Sequence, residues 1–512
     1  MHVGKILIAL IGVFLFLFTS VRGEIKDFSI KAFHLDFRAQ VMTVPAIKEL
    51  ALDLSKKGIN AIIIEYEATF PFKKHATLCN KYAYSRKDVK EIVDYCKSLG
   101  IDVIPLQNCF GHCEYILRHD RYINLREDRK EVSQVCPSKI DSAEKVFGEI
   151  FSEVASLHPS KYFHIGADET YLLGHCKECS KKDKSKLFVD YVKAMCKIVE
   201  GMGKTPIIWA DIILKYPKVA HELPKNLVFV DWNYGWSPNH FGNLENLFKF
   251  GATVWGAPAL RSSPDNIYLV DWMKHFNNLA TFIPFAKSKG YKGIIDTSWS
   301  TSGLYGFYYD NNNEILEMYP VRQVYPMSGF QILIDAFCKA VSEKGALDPE
   351  NFILSYAAER YGLNPKDSQI FFSYFQHPQK CVRSGKDSNG AAIAQLIQEI
   401  KELKDSFDKI SVSKNDVEFE HYRLMLDLRI NYLKYKEIEF EYDSPNYNSS
   451  KAGILKERLE SIISESDELG LRFESINKTY LKPGQFEDIN AFRTKKMKNL
   501  CANLARQAEI CN

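Results

Sequence analysis

The chain of 512 residues has little excess charge of either sign: 67 lysines and arginines stand against 64 aspartates and glutamates, a formal net charge of +3. No long basic run concentrates that excess, so nothing favours nucleic acid or an acidic membrane surface as a partner. The chain also lacks a Gly-x-Gly-x-x-Gly after its first apolar run and any other nucleotide fingerprint, which removes the usual ground for a bound dinucleotide. Beyond residue 23 no stretch is long and apolar enough for a membrane helix. Twelve cysteines are too sparse to be the main scaffold of so long a chain. No second Cys-x-x-Cys accompanies Cys176-Lys177-Glu178-Cys179 to complete a common zinc pattern. No cofactor and no metal are therefore expected.

What is present begins with an apolar run from Ile6 to Phe18, followed by Thr19-Ser20-Val21-Arg22-Gly23. This pattern predicts a signal peptide over residues 1–23 and a soluble mature protein in the secretory pathway, whether secreted, lysosomal or in the Golgi lumen. An uncleaved anchor is the competing reading, and the run is short for it. Two sequons, Asn448-Ser449-Ser450 and Asn477-Lys478-Thr479, make Asn448 and Asn477 candidate glycosylation sites. In an oxidising compartment the cysteines allow several disulfides, whose pairing the spacing leaves open. Cys176 and Cys179, with His175 beside them, read as a local structural pair or disulfide; a redox pair or half of a metal site is the alternative.

From residue 30 to about residue 300, short apolar runs alternate with amphipathic stretches. Strands are expected at 29–35, 59–66, 102–106, 162–165, 206–210, 227–231, 252–255 and 293–297. Between them lie helical patterns such as 44–56, 86–98, 142–156 and 186–200, several stopped by glycine at Gly58, Gly100 and Gly201. Eight such units have the size and rhythm of a (β/α)8 TIM barrel, spanning 24–324. A doubly wound open sheet is the competing α/β architecture, and the missing nucleotide fingerprint speaks against it. Residues 325–512 change to charged amphipathic helices. Their stripes at Ile393, Leu396, Ile397, Ile400 and Leu403, and at Met425, Leu428, Tyr432 and Tyr435, predict packing faces of an α-helical C-terminal domain.

In a barrel of this kind, chemistry collects where strands end. The apolar segment 162–165 runs directly into Gly166-Ala167-Asp168-Glu169, which places two adjacent carboxylates at such an end. Taken alone, that pair could instead cap the following helix. Other polar or aromatic residues fall at the same level: Asp36, Glu65, Glu67, 107–112, Asp211, Asp231 and Trp299. Trp209, Trp232, Trp255 and Trp299, four of the six tryptophans, lie at or near strand ends. Aromatic faces with carboxylates and no cofactor motif suit a carbohydrate, whose C–H face packs on the rings while polar groups take its hydroxyls. For any one of these tryptophans, ordinary barrel core is an equal reading.

The six residues His164-Ile165-Gly166-Ala167-Asp168-Glu169 resemble the His-x-Gly-[Gly/Ala]-Asp-Glu signature of glycoside hydrolase family 20, the β-N-acetylhexosaminidases. His34-Leu35-Asp36, Glu65-Tyr66-Glu67, Pro105-Leu106-Gln107, Phe110-Gly111-His112, Leu125-Arg126-Glu127, Trp209-Ala210-Asp211 and Thr297-Ser298-Trp299 resemble its hexosaminidase D-like branch, in the expected order. The resemblance implies an exo-acting enzyme that removes terminal β-linked N-acetylgalactosamine or N-acetylglucosamine from glycoconjugates with retention, the substrate's own 2-acetamido carbonyl acting as nucleophile. It implies Glu169 as general acid and then base, and Asp168 as acceptor of the acetamide N–H and stabiliser of the oxazolinium. The charge of Asp168 is expected to hold Glu169 protonated. Tyr234 would donate to the acetamide oxygen, and Trp209 and Trp299 would wall the acetamido pocket. His112 and His164 would link the carboxylates to the polar network.

The chain departs from the lysosomal members of that family. Lys31 stands where their first strand carries a sugar-gripping arginine, Asn108 replaces an aspartate, and their glutamate two residues after Trp299 is absent. His34, Asp36, Glu67 and Asp211 are the expected substitutes for gripping the ring, with Trp232 and Trp255 as further walls. Three alternatives stand beside this reading. One is a glycosidase whose nucleophile is Asp36, Glu67 or Asp211; another is a secreted glycan-binding barrel without catalysis; the last is a metal-dependent hydrolase built on His175, Cys176 and Cys179.

Overall fold

The computed structural model describes residues 27–301, 305–308 and 317–511. The expected signal peptide, residues 1–23, lies outside the described residues. Parallel strands β1 (Ile30–Asp36), β2 (Ala61–Glu65), β3 (Asp102–Leu106), β4 (Tyr162–His164), β5 (Thr205–Trp209), β6 (Val228–Trp232) and β7 (Thr253–Ala257) are followed by the short β8 (Ala259–Arg261) and by β9 (Gly293–Ser298). β1 to β7 pair in sequence order, β7 pairs with β9, and β9 returns to β1 through Ile30↔Gly293 and Phe33↔Asp296. The sheet is thus a closed barrel, and β8 lies against β9 at its rim. Each of the eight expected strands is found within two residues of its expected bounds.

Helices α1 (Val44–Lys56), α2 (Arg86–Ser98), α3 (Glu114–Leu117), α4 (Ile140–Ala155), α5 (Lys184–Gly201), α6 (Glu245–Phe248) and α7 (Trp272–Ser288) fill the connections. Local chemistry sets their starts. The Thr43 side chain caps α1 before Pro45, Ser85 and Asp88 form a reciprocal capping box on α2, and Asp183 caps α5.

Strand alternation decides what faces inward. Ile62 and Ile64 of β2 pack outward under the helices, while Ala61 and Ile63 point into the barrel. The same phase puts Ala32, Ile104, Ile207, Val230 and Ile295 inside as a dry filling. Continued two residues at a time toward the strand ends, it delivers Glu65, Trp209, Trp232 and Trp299 to the barrel mouth.

After β9, a hairpin of β10 (Tyr305–Tyr308) and β11 (Glu317–Pro320) precedes α8 (Gln331–Ser342). This helix is the barrel's eighth: it packs on α7, and its Asp335 pairs with Lys57 at the end of α1. The barrel layer therefore runs past residue 324 to Ser342. The remaining helices are α9 (Pro349–Tyr361), α10 (Pro365–Gln376), α11 (Ile393–Phe407), α12 (Asp416–Tyr442), α13 (Ala452–Asn477) and α14 (Gln485–Cys511). Ile393, Leu396, Ile400, Met425, Leu428 and Tyr435 are buried and Ile397, Leu403 and Tyr432 pack partly buried, so both stripes are packing faces. This layer is tied to the β1–α1 loop by Thr43 N–H to the Tyr480 carbonyl (2.9 Å) and Lys482 N–H to the Val41 carbonyl (2.9 Å).

Asn448 is exposed, in keeping with a glycan acceptor. Asn477 is not. It is fully buried at the end of α13, its amide donating to the Phe473 carbonyl at 2.9 Å and its oxygen accepting from Ser328 at 2.6 Å. A glycan has no room there, which corrects the expectation drawn from the tripeptide alone.

Candidate active site

A cavity of about 340 Å3 opens at the C-terminal mouth of the barrel. This is near the lower end of ligand pockets, about 300–1,000 Å3, and suits one ring better than a polymer. Asp168 and Glu169 line it, with His112 between them: its Nε2 lies 3.3 Å from Asp168 Oδ2 and 3.1 Å from Glu169 Oε2. The backbone that holds them is unusual. His112, Ala167 and Glu169 all adopt positive φ, at 51°, 72° and 48°. Gly111 is required beside them, because a Cβ there would stand 2.1 Å from the Asp168 carbonyl oxygen. At Gly166 a Cβ would meet Asn108 Oδ1 at 2.0 Å.

The electrostatics follow from this arrangement. Burial alone would push the His112 imidazole toward neutrality, but the Asp168 and Glu169 carboxylates outweigh it and hold its pKa well above the ordinary value. Burial also disfavours the Glu169 carboxylate, yet the His112 hydrogen bond and charge prevail, helped by the Tyr171 hydroxyl donating to Oε1 at 2.6 Å, and its pKa is lowered. This corrects the expectation that Asp168 keeps Glu169 protonated. In the unliganded protein the mutual hydrogen bond favours the imidazolium of His112 and the carboxylate of Glu169. Asp168 Oδ1 is buried and has no hydrogen-bond partner among the described residues. Such an atom is costly unless something arrives to donate to it.

Opposite the carboxylates, Trp209, Trp232, Tyr234 and Trp299 form the aromatic wall. The Trp299 indole N–H donates to the Tyr234 hydroxyl oxygen at 2.8 Å, which leaves the phenolic proton for a second acceptor. Trp209 and Trp299 lie 5.9 Å apart between centroids, and Trp232 packs on Tyr234 at 5.1 Å.

The other expected residues stand behind this surface. His34 donates from Nε2 to Glu65 Oε2 (3.1 Å) and packs its ring 4.6 Å from Trp299. His164 is fully buried and accepts the Gly166 N–H on Nδ1 at 3.0 Å; burial and His34 keep it neutral. Asp36 takes the Arg38 guanidinium on both oxygens (3.0 and 3.1 Å), and despite burial the Arg38 charge lowers its pKa to about 2. Glu67 is buried and accepts from Asn108 at 3.1 Å; burial, then Glu65 and Glu114, raise its pKa against the Arg38 charge. Asp211 accepts the Glu169 backbone N–H at 3.1 Å, and burial with the Asp168 charge lifts its pKa to about 7. Among the described residues, none of His34, Asp36, Glu67, His164 and Asp211 lines the cavity.

Trp255 is placed elsewhere altogether. It pairs in register with Gly293, the first residue of β9, and fills the barrel interior against Tyr162 at 5.1 Å. It is core, two residues short of the strand end where a side chain would reach the mouth.

Sequence reasoning missed several wall residues. Lys31 lies at the start of β1, paired with Asp27 at the far end of the barrel. Arg38, two residues past β1, lines the mouth together with Lys274 and Arg322, and lies over the Trp299 ring at 5.2 Å and 3.3 Å from Glu65. The pairing of Asp36 with a residue two positions on was the available signal. Trp236, His240 and Phe241 form an aromatic rim after β6, Trp236 stacking on His240 at 4.6 Å. Tyr171 was also missed, although it follows Glu169 by two residues.

Residues 37–277 match the family model described as glycosyl hydrolase family 20, catalytic domain. The chain is 30% identical over 310 residues to hexosaminidase D of Bos taurus, a match covering 56% of this chain and 87% of the relative. It is 28% identical over 315 residues to hexosaminidase D of Homo sapiens, covering 57% of this chain and 63% of that protein, so it spans less than two thirds of the human relative. Among solved structures, a β-N-acetylhexosaminidase from Bacteroides fragilis aligns with a TM-score of 0.50 at 18% identity, over 68% of this chain and 72% of that one, a likeness of fold.

Proposed function

The chain belongs to glycosyl hydrolase family 20, and from that premise we propose that it is an exo-acting β-N-acetylhexosaminidase that works with retention through the substrate's own acetamide. The observation that carries this reading is the buried, unpartnered Asp168 Oδ1 beside Glu169, in a one-ring cavity that also holds the Tyr234 hydroxyl. Asp168 accepts the acetamide N–H and Tyr234 donates to the acetamide oxygen, so the carbonyl is aimed at the anomeric carbon. As the C–O bond to the leaving sugar breaks, positive charge spreads over the forming oxazolinium, and the Asp168 carboxylate stabilises it.

The leaving oxygen needs a proton from Glu169. At rest the pair favours that proton on His112, whose Nε2 is 3.1 Å away. An incoming sugar displaces the exposed Tyr171 from Glu169 and excludes water, which favours the neutral carboxyl and passes the proton across. Glu169 then acts as base toward water in the second half-reaction. The protein-nucleophile alternative loses support because Asp36, Glu67 and Asp211 all sit behind the wall, each already engaged.

The substrate class follows from the same site: a glycan or glycoconjugate ending in β-linked N-acetylgalactosamine or N-acetylglucosamine. The Met1–Gly23 leader and the exposed Asn448 support action in the lumen of the secretory route. The test is release of p-nitrophenol from the paired β-N-acetylgalactosaminide and β-N-acetylglucosaminide by the purified chain and by Glu169→Gln, with and without a thiazoline analogue of the oxazoline. Release lost in the variant and blocked by the thiazoline is expected. An active enzyme indifferent to the thiazoline would point to a protein nucleophile, and a folded wild type without release to a glycan-binding protein.

A further inference from the structure

Three cysteines from two different loops meet beside the active site. Cys136, in the segment between β3 and α4, places its sulfur 3.8 Å from Cys176 Sγ and 3.6 Å from Cys179 Sγ, both in the loop after β4. A carboxylate oxygen of Glu127 joins them, all four atoms lying within 4.8 Å of one another. Cys136, Cys179 and Glu127 are buried and Cys176 is partly so.

The spacings are those of a coordination shell. A tetrahedral zinc ion with Zn–S of about 2.3 Å separates its sulfurs by about 3.8 Å, whereas a disulfide needs about 2.05 Å. Cys176 and Cys179 form a knuckle in which the Cys179 N–H donates to Cys176 Sγ at 3.3 Å. Ser138 Oγ stands 3.0 Å from Cys179 Sγ and accepts from Lys182 Nζ at 3.0 Å, which brings positive charge toward the thiols. Glu127 is oriented by the backbone: its Oε1 takes the N–H groups of His175 and Cys176 at 2.7 and 2.9 Å, while its buried Oε2 has no nitrogen or oxygen partner among the described residues. That second oxygen faces the thiols, with Cys136 in hydrogen-bond contact, so the carboxylate turns one oxygen to the backbone and the other into the cluster, as a metal ligand held by an outer partner does.

We propose that Cys136, Cys176, Cys179 and Glu127 bind one structural zinc ion that staples the β3 loop to the β4 loop. The donor set leaves no open position, so the ion is structural and performs no hydrolysis. The first loop carries His112 and the second carries Asp168, Glu169 and Tyr171, so the staple fixes the distance over which the proton is shared. Metal content is independent of whether the chain is a hexosaminidase.

The experiment is elemental analysis of the full chain purified without chelator. About one zinc per chain is expected in the wild type, with loss of that zinc in Cys136→Ser and in Cys179→Ser and retention in Cys501→Ser. Should the cluster variants fail to fold, cobalt exchange into the wild type provides the second readout, with thiolate-to-cobalt charge transfer and intense visible bands of a tetrahedral site expected. A metal-free wild type that takes up no cobalt, or a non-reduced digest in which two of these cysteines are joined as a disulfide, overturns the proposal.

Discussion

Trp299 and Tyr234, 65 residues apart in sequence, are joined by an indole N–H donated to a phenol oxygen at 2.8 Å. The bond occupies one lone pair of the Tyr234 oxygen and leaves the phenol free to donate, the role proposed for it toward the acetamide. Tyr234→Phe should therefore lower kcat on N-acetyl substrates by about 10²-fold, the usual loss of one preorganised donor. Trp299→Phe keeps an aromatic face but removes the N–H and should fall between that variant and the wild type. Steady-state kinetics on both p-nitrophenyl glycosides checks the order.

On the proposed mechanism His112 holds the proton that Glu169 delivers, so the alkaline limb of kcat/KM should report the His112–Asp168–Glu169 cluster as a unit. The imidazole is held above its ordinary pKa. In His112→Gln the carboxyl of Glu169 must hold the proton alone, and a carboxyl releases it at lower pH than the shared cluster. The alkaline limb should move down by roughly one unit or more, with the plateau reduced. A limb that stays in place would show that His112 does not hold the proton.

The two tryptophans of opposite placement should separate stability from activity. Trp255→Ala removes a buried ring from the barrel interior and should cost about 3–5 kcal/mol of stability, read as a fall in the denaturation midpoint. Trp299→Ala opens the cavity wall and should raise KM with a smaller stability change. Equal thermal losses with no kinetic split would contradict the assignment of Trp299 to the mouth.

Expression through a eukaryotic secretory host should give glycan at Asn448 and none at Asn477. Asn448→Gln is expected to lower the mass by one glycan with little change in melting temperature. Asn477→Gln should leave the mass pattern intact and destabilise the protein, because its amide bonds to Phe473 and Ser328 are buried. Glycopeptide mapping decides this directly.

The barrel was legible because buried parallel strands leave a strong signal: short apolar runs at regular intervals, with glycine after the helices. The adjacent carboxylates were legible for the same reason, since polar residues directly after a run such as 162–165 mark a strand end. Depth was harder to read. Trp255 and Trp209 look alike in sequence, and only the register against Gly293 shows that one is two residues too low to reach the mouth. Contacts between distant loops were not legible at all. Cys136 lies 40 residues from Cys176, with no motif to announce it, and Asn477 carries a sequon that says nothing of the helix end burying it. Arg38 falls two residues outside β1, where strand periodicity no longer tells which way a side chain turns.

Glu67, His112 and Glu169 share one more property: each holds a left-handed backbone that glycine tolerates and a side-chain residue resists. The barrel keeps them in place against that preference, so this corner of the fold is maintained for what the side chains do. Glycine would ease the backbone at each, while removing a cavity-lining side chain at His112 or Glu169 and a partner of Asn108 at Glu67. A descendant released from selection for hydrolysis has a downhill route open at these positions, and drift toward glycine there would be an early molecular trace of a lineage that had stopped cutting sugars.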